Sequence, residues 1–447
     1  MIDPDSIPVE REIWAAPDGL AYLSGNGTKD KPYSIPGGDL DALLPLLGAS
    51  CRLHLLAGEF VTRYFFHLPK TLLIHGAGMG VTTIKLADGA TSGLYYPHVR
   101  MITDGGQFFT HFAATDLTLD GNWAGQPEHP NLKVQALAIQ ACRAHVRNVE
   151  IINCGANGTA NGNAGLEAMP ISLQTFANGN RELYFPSMEF LWGTEPTTRL
   201  EAIDCRVSLP HFVKGGTWTG IYIRTSLPAN RQPAGTRTTE AALVRGCTVV
   251  GSGGICFGGA DLDYVTFEDN TGEGMCAFNC DTLRADRVRI RNNRFFDCNT
   301  GINVSPSGNG QQVHIDGNFV QLGKPFWNAV MNRFEPQWGI QGKFLTKSRA
   351  NRNTILVPDA WGFTPLSGID GAINRIIETG TAENSGALVQ AKSEIAALKT
   401  EASRNLTAIA DLNGRLSSMS SANQLVVEQS LRLQSAILKV KEAVQLF

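Results

Sequence analysis

No apolar run in this sequence approaches the ~20 residues that a membrane-crossing helix needs. An excess of one charge is also missing: 38 basic residues stand against 41 acidic ones, a formal net charge of -3. Non-specific nucleic-acid binding needs a basic surplus, so neither nucleic acid nor membrane insertion is expected. Paired CxxC motifs are absent. Cys276 and Cys280 are separated by AFN, with no second pair at metal-ligand spacing, so no metal and no cofactor are expected. GxSxG, HExxH and EF-hand loops do not occur. GAGMG at 76–80 lacks GxGxxG spacing and a βαβ setting, which argues against a dinucleotide fold. The opening MIDPDSIPVEREIW shows no hydrophobic h-region of a signal peptide.

Glycine, by contrast, is plentiful at 47 residues, as repeated turns require. The cysteines number nine, and Cys154, Cys205, Cys247 and Cys298 close short runs. Small residues stacked in a solenoid corner explain this better than disulfides do, and a reducing folding compartment is expected.

Four alternating runs, AALVRGC, YVTFEDN, RVRIRNN and QVHIDGN, end at Cys247, Asn270, Asn293 and Asn318, spaced by 23, 23 and 25 residues. One strand and several turns per period in the low twenties is the pattern of a solenoid coil. Ala241–Val320 is therefore read as the regular part of a parallel β-helix. Earlier coils are expected at LLIHGA (Leu72–Ala77), DLTLDGN (ending at Asn122), HVRNVEIINC (ending at Cys154) and LEAIDC (ending at Cys205). The 51-residue gap between Cys154 and Cys205 predicts one degenerate coil with long excursions.

Three regions result. Residues 1–50 form a leading segment and cap, in which DLDALLPLL (Asp39–Leu47) reads as a short helix over the open end of the first coil. Residues 51–380 form the all-β solenoid. Residues 383–447 lack proline and tryptophan and follow one heptad frame, with Leu388, Ile395, Ala402 and Ile409 at one core position and Ala391, Leu398, Asn405 and Leu412 at the other. That segment reads either as a homotrimeric coiled-coil stalk or as a helical hairpin turning at SSMSSANQ.

Period-two alternation turns the repeat register into a surface map. Val265, Phe267, Val288, Ile290, Val313 and Ile315 point inward. One outward row holds Asp120, Ile152, Ile203, Arg245, Glu268, Arg291 and Asp316. The next holds Thr118, Glu150, Glu201, Leu243, Thr266, Arg289 and His314. A third holds Asp116, Asn148, Arg199, Ala241, Tyr264, Arg287 and Gln312. Two strand spacings separate Glu268 from Asp316 by ~9.6 Å, close to the ~6.5–9.5 Å of an inverting acid–base pair. Arg291 between them would keep both charged, and His314 could move a proton near neutral pH. Arg245, Arg287, Arg289, Arg291 and Tyr264 suit a carboxylated sugar through bidentate pairing and stacking. The same charge alternation also stabilises a sheet without any function. A second cluster, in loops over the second to fourth coils, contains His211, Lys214, Trp218, Tyr222 and Arg224. There Lys214, His211 and Arg224 are the residue types a polysaccharide lyase uses as base and carboxylate holder.

The opening GLAYLSGNGTKDKPYSI, followed by HLLAGEF and the coil series, resembles right-handed parallel β-helix proteins of the pectate-lyase-like superfamily, phage tailspikes included. The resemblance covers roughly residues 12–320. It implies a right-handed parallel β-helix acting on carbohydrate as lyase, hydrolase or epimerase. The sequence departs from calcium-dependent lyases in lacking an acidic cluster, and from alginate epimerases in lacking a DPHD-like signature. With the heptad segment, the likeness leans toward a trimeric, extracellular or virion-borne depolymerase that cleaves an acidic bacterial or extracellular glycan. The alternative is a non-catalytic glycan-binding or structural fibre β-helix.

Overall fold

The structure is a computed structural model. It describes residues 3–17, 23–66, 70–92, 98–103, 109–129, 132–156, 171–174, 199–208, 211–212, 219–225, 240–260, 262–280, 285–306, 310–323, 327–328, 333–334, 337–343, 345–357, 364–367, 369–371 and 374–378. The heptad segment 383–447, Lys214 and Trp218 lie outside these residues.

The chain winds as a parallel β-helix with three sheets. In the first sheet, strands Arg11–Ala16, Ser50–Leu55 and Thr71–His75 pair in parallel with one another, and then with Phe109–Asp120 and Lys133–Ile152. Arg199–Ile203, Ala242–Arg245, Leu262–Glu268, Ala285–Arg291, His314–Asp316 and Arg349–Asn351 continue it. Parallel pairing along this sheet follows from a coil that returns to its start once per turn; an antiparallel contact joins Lys133–Val134 to Gly155–Ala156. The second sheet runs from Gly58–Thr62 through Thr248–Val250 to Arg375–Glu378. The third runs from Phe65–Phe66 through Thr219–Arg224 to Thr364–Ser367.

Val265, Val288, Ile290, Val313 and Ile315 are fully buried and Phe267 is 1% exposed, as alternation requires. Over the first coil lies a 3-10 helix, Leu40–Leu46, with Leu40 and Leu43 in the core. Asp39 caps it, and Asp41 binds Thr62 Oγ1 and the Arg63 amide. All nine cysteines are free and buried.

One corner of the coil is pinned by side-chain amides. Asn293 Oδ1 accepts from the backbone N–H and the Nδ2 of Asn270 at 3.0 and 2.9 Å. Asn293 Nδ2 donates to Phe267 O and Asn318 Oδ1 at 3.1 and 2.9 Å. The pattern repeats through Asn318, Asn353 and Asn374. Toward the N-terminus Cys247 and Cys205 take over the column, with their thiols donating to Ala202 O and Val146 O. The residue before the column is left-handed in each coil from Asp116 to Arg352: Asn148, Asp204, Gly246, Asp269, Asn292 and Gly317 lie between them. Asp, Asn and Gly tolerate that conformation best, which is why they fill seven of these eight places.

Two expectations need correction. The degenerate coil between Cys154 and Cys205 does not exist in the first sheet, because Arg143–Arg147 pairs directly with Arg199–Ile203. Cys154 therefore does not share a column with Cys205. Instead, Val149 takes the place before Cys205, and the early rows shift accordingly.

Candidate functional site

Two outward rows of the first sheet run unbroken along the helix. The first reads Trp14, His54, His75, Thr115, Arg147, Ile203, Arg245, Glu268, Arg291, Asp316 and Asn351. The second reads Glu12, Arg52, Leu73, Ala113, His145, Glu201, Leu243, Thr266, Arg289, His314 and Arg349. From Arg245 onward these are the rows the sequence predicts. Before Arg245 they correct it: Thr115 and Arg147 stand where Asp120 and Ile152 were expected, and Ala113 and His145 stand in place of Thr118 and Glu150. Asp116 and Asn148 leave the third row, because the register places them level with Asp204 in the left-handed position before the column. His111 and Arg143 stand in line with Arg199.

The predicted ladder forms, with its charges divided differently. Arg291 binds Glu268 Oε2 through Nε at 2.7 Å, and Arg245 approaches Oε1 at 3.9 Å. Arg291 does not pair with Asp316; the cation there is Arg349, at 3.7 Å from Oδ2. Asp316 Oδ1 is buried and has no hydrogen-bond partner. Both oxygens of Glu268 thus face guanidinium groups, whereas Asp316 keeps one oxygen free. His314 is held below its ordinary pKa by burial and then by Arg349, against the opposing pull of Asp316, so it stands neutral at pH 7 and able to accept a proton.

Tyr264 and Arg287 both adopt positive φ, which projects them from the sheet rather than continuing its alternation. The guanidinium groups of Arg287 and Arg289 lie 4.9 and 5.6 Å from the Tyr264 ring centroid. Arg287 is anchored beneath by the fully buried Asp263, 2.6 Å away. Arg224 is not a loop residue beside this ladder; it ends strand Thr219–Arg224 of the third sheet. His211 lies on the short strand His211–Phe212.

A cleft of about 500 Å³ lies further toward the N-terminus on the same two rows. Asp3, Pro4, Asp5, His75, Thr115, Asp116, His145, Arg147, Asn148 and Asp204 line it. His145 is nearly buried, and its Nδ1 meets Glu201 Oε2 at 2.8 Å. Glu201 is fully buried on an outward row. Its other oxygen accepts from Arg199 Nε at 3.0 Å, and Arg199 Nη1 reaches Glu240 Oε2 at 3.0 Å. Glu240 in turn accepts from Thr266 Oγ1. The carboxylate thus fixes the ring orientation of His145 and leaves Nε2 as the nitrogen available to the cleft. Arg147 lies two residues on, ~7 Å along the same face of the strand. It is exposed and forms no ion pair with any described residue. Asn148 Nδ2 binds Asp116, while Asp204 projects into solvent.

None of the cleft's histidines and arginines was singled out from sequence. A signal was nevertheless there. FAATDL, AHVRNV, LEAIDC, ALVRGC and VTFEDN share one template: in, out, in, out, left-handed, column. Aligning on the left-handed Asp, Asn or Gly rather than on cysteine puts His145 and Arg147 in the charged rows. Among the described residues no cluster of three or more metal-ligating side chains occurs.

No protein-family model and no curated protein matches the sequence. Among solved structures the chain is similar to a GH136 lacto-N-biosidase from Eubacterium ramulus, at 12% identity and TM-score 0.46, over 82% of this chain and 68% of that one. It is also similar to the A-module of the Azotobacter vinelandii mannuronan C-5 epimerase AlgE6, at 16% identity and TM-score 0.31, over 76% and 92%. The AlgE4 A-module of the same organism gives 14% identity and TM-score 0.27.

Proposed function

We propose that the protein is a carbohydrate-active enzyme that cleaves a carboxylated polysaccharide lying lengthwise on the first sheet, by elimination in the cleft. His145 carries this reading. It is a nearly buried imidazole, oriented by a buried carboxylate, and stands beside an arginine with no ion pair among the described residues. In the proposed step Arg147 holds the sugar carboxylate and withdraws charge from the adjacent carbon. His145 Nε2 takes the proton from that carbon. The electron pair forms the new double bond, the glycosidic C–O bond breaks, and the leaving oxygen is protonated by water. Glu201 is a positioning residue, stabilising the imidazolium that forms.

Arg147 and Arg245 are two strand steps apart in one row, ~10 Å. The ladder of Arg245, Glu268 and Arg291, with Arg287, Arg289 and Tyr264 beside it, then serves as the track for the rest of the chain. A polyanion lying along the row would meet exposed Arg289 and Arg291.

A hydrolytic reading has one specific observation in its favour, the free Oδ1 of Asp316 beside the neutral His314. There Asp316 would activate water, with Glu268 as its partner across two strand spacings. The two chemistries separate in one experiment on a panel of acidic polysaccharides. Elimination raises near-ultraviolet absorbance as an unsaturated product forms, and His145→Gln abolishes the rise. Hydrolysis raises reducing ends without absorbance and is lost in Asp316→Asn. Reducing ends without absorbance, insensitive to His145→Gln, would sink the cleft reading.

A further inference from the structure

The segment Asp3–Ile7 lies at the mouth of the cleft, held in an unusual way. A single nitrogen, Arg52 Nη2, donates to three carbonyls: Pro4 at 3.2 Å, Asp5 at 2.9 Å and Ile7 at 2.9 Å. Its Nε is buried with no hydrogen-bond partner. Diagonal to Arg52, one coil on in the neighbouring row, is His75, whose Nδ1 meets Thr115 Oγ1 at 2.9 Å. His75 Nε2 is buried and has no hydrogen-bond partner; the nearest anion is Asp5 Oδ1, at 3.9 Å. That distance is too long for a hydrogen bond, and Asp5 is otherwise 78% exposed. Both side chains that carry an unsatisfied nitrogen thus approach the same residue, Arg52 at the Asp5 carbonyl and His75 at the Asp5 carboxylate. Between Arg52 and His145 in the same row stand Leu73 and Ala113, outward-facing yet fully buried. An apolar floor with a guanidinium at one end and a base at the other has the make-up of a sugar subsite, with a face to stack on and a charge to pair.

We infer that Arg52 and His75 form a second carboxylate-binding subsite of the cleft, which the Asp5 side chain and the Asp3–Ile7 backbone fill in the free protein. This rests on the reading of the cleft as a glycan site. Asp5 stands in for the carboxylate of a uronic acid unit next to the one that Arg147 holds. The carbonyls of Pro4, Asp5 and Ile7 take up the guanidinium until the sugar does. A carboxylate at hydrogen-bond distance would satisfy both Arg52 and His75, which the longer Asp5 contact does not. The charged and titratable neighbours of His75 are Asp5, His54 (ring centroid 5.4 Å away), Arg52 and Asp116.

The test uses the full chain and free galacturonate as the probe, since a monosaccharide has no bond to cleave. Asp5→Asn removes the internal competitor and leaves the seat intact. Asp5 is largely solvated, and relief of one like charge near 4 Å in water from the bound carboxylate corresponds to roughly a fivefold gain in galacturonate affinity by calorimetry. Histidine ring NMR should show the His75 resonances moving on saturation, in the parent and in Asp5→Asn alike. Arg52→Met should weaken binding in both backgrounds. Equal affinity for the parent and Asp5→Asn, no binding by either, or a His75 ring unmoved at saturation would each overturn the inference. Galacturonate binding at this seat without elimination of any polymer would sink the lyase reading and leave the subsite standing. Elimination with an affinity indifferent to Asp5→Asn would do the reverse.

Discussion

Replacing Asn293 with alanine should be among the most damaging single changes in the coil. The side chain makes four hydrogen bonds, two as acceptor from Asn270 and two as donor to Phe267 O and Asn318 Oδ1. Asn293 is 1% exposed, so water does not replace these partners. Alanine strands the Asn270 amide and one Asn270 Nδ2 hydrogen. Asn318 Oδ1 keeps the backbone N–H of residue 293 as a donor. At ~1 kcal/mol per bond, with a further penalty for the orphaned buried donors, the loss is about 4–6 kcal/mol. Asn374→Ala is the matched control. It removes the same kind of side chain at the last described column position, where the group is only half-buried and makes three bonds; about 2–3 kcal/mol is expected there. Urea unfolding followed by circular dichroism, with the slope checked for constancy, measures both. Asn293 follows Arg291 by two residues, so the variant should also blunt binding at the ladder. A loss for Asn293→Ala within ~1 kcal/mol of the control would refute the view that the amide column pins the register.

Stability should fall as pH drops below ~6.5. His75, His111 and His314 are all held below their ordinary range by burial first, and then by His54, Arg143 and Arg349 respectively. Just below that pH the unfolded chain binds protons that the folded one refuses, so folding loses ground, whereas above it both states are neutral and the effect vanishes. A urea midpoint unchanged between pH 7.5 and 5.5 would count against this. The nine thiols should resist an aqueous thiol reagent in the native protein and all react in denaturant. Burial disfavours the thiolate: Cys51 is pushed up to about 12, and Cys154, Cys247, Cys256 and Cys298 are raised further. Two or more thiols reacting in the native state would contradict the buried column.

The coils from Ala241 onward were legible because three cues agree there: the period, the alternation and the closing Asn. Arg245, Glu268, Arg291 and Asp316 fall in one row as a direct result. The cleft was not legible, because cysteine served as the column marker in two different places. Cys205 is a column residue whereas Cys154 lies beyond it, and both are simply small and buried. Pairings between distant side chains were out of reach too. His145 and Glu201 are 56 positions apart, and only the fold makes them neighbours. Nor does any spacing reveal that Arg349, outside the regular repeats, takes Asp316 from Arg291.

The unbroken rows make the coil a unit of length. Each turn advances the surface by one strand spacing, ~4.8 Å, whatever the loops do between. Residues 271–293 are one whole turn, so their removal would bring Asn270 into the place of Asn293 and close the helix in register. Asp316 would move one step nearer Arg147 and stand directly across from Glu268. Fractions of a turn are not available, since a one-residue slip would turn the buried valines outward. The reach of this surface can therefore be lengthened or shortened by duplication or loss of whole turns, with His145, Glu201 and Arg147 left as they are.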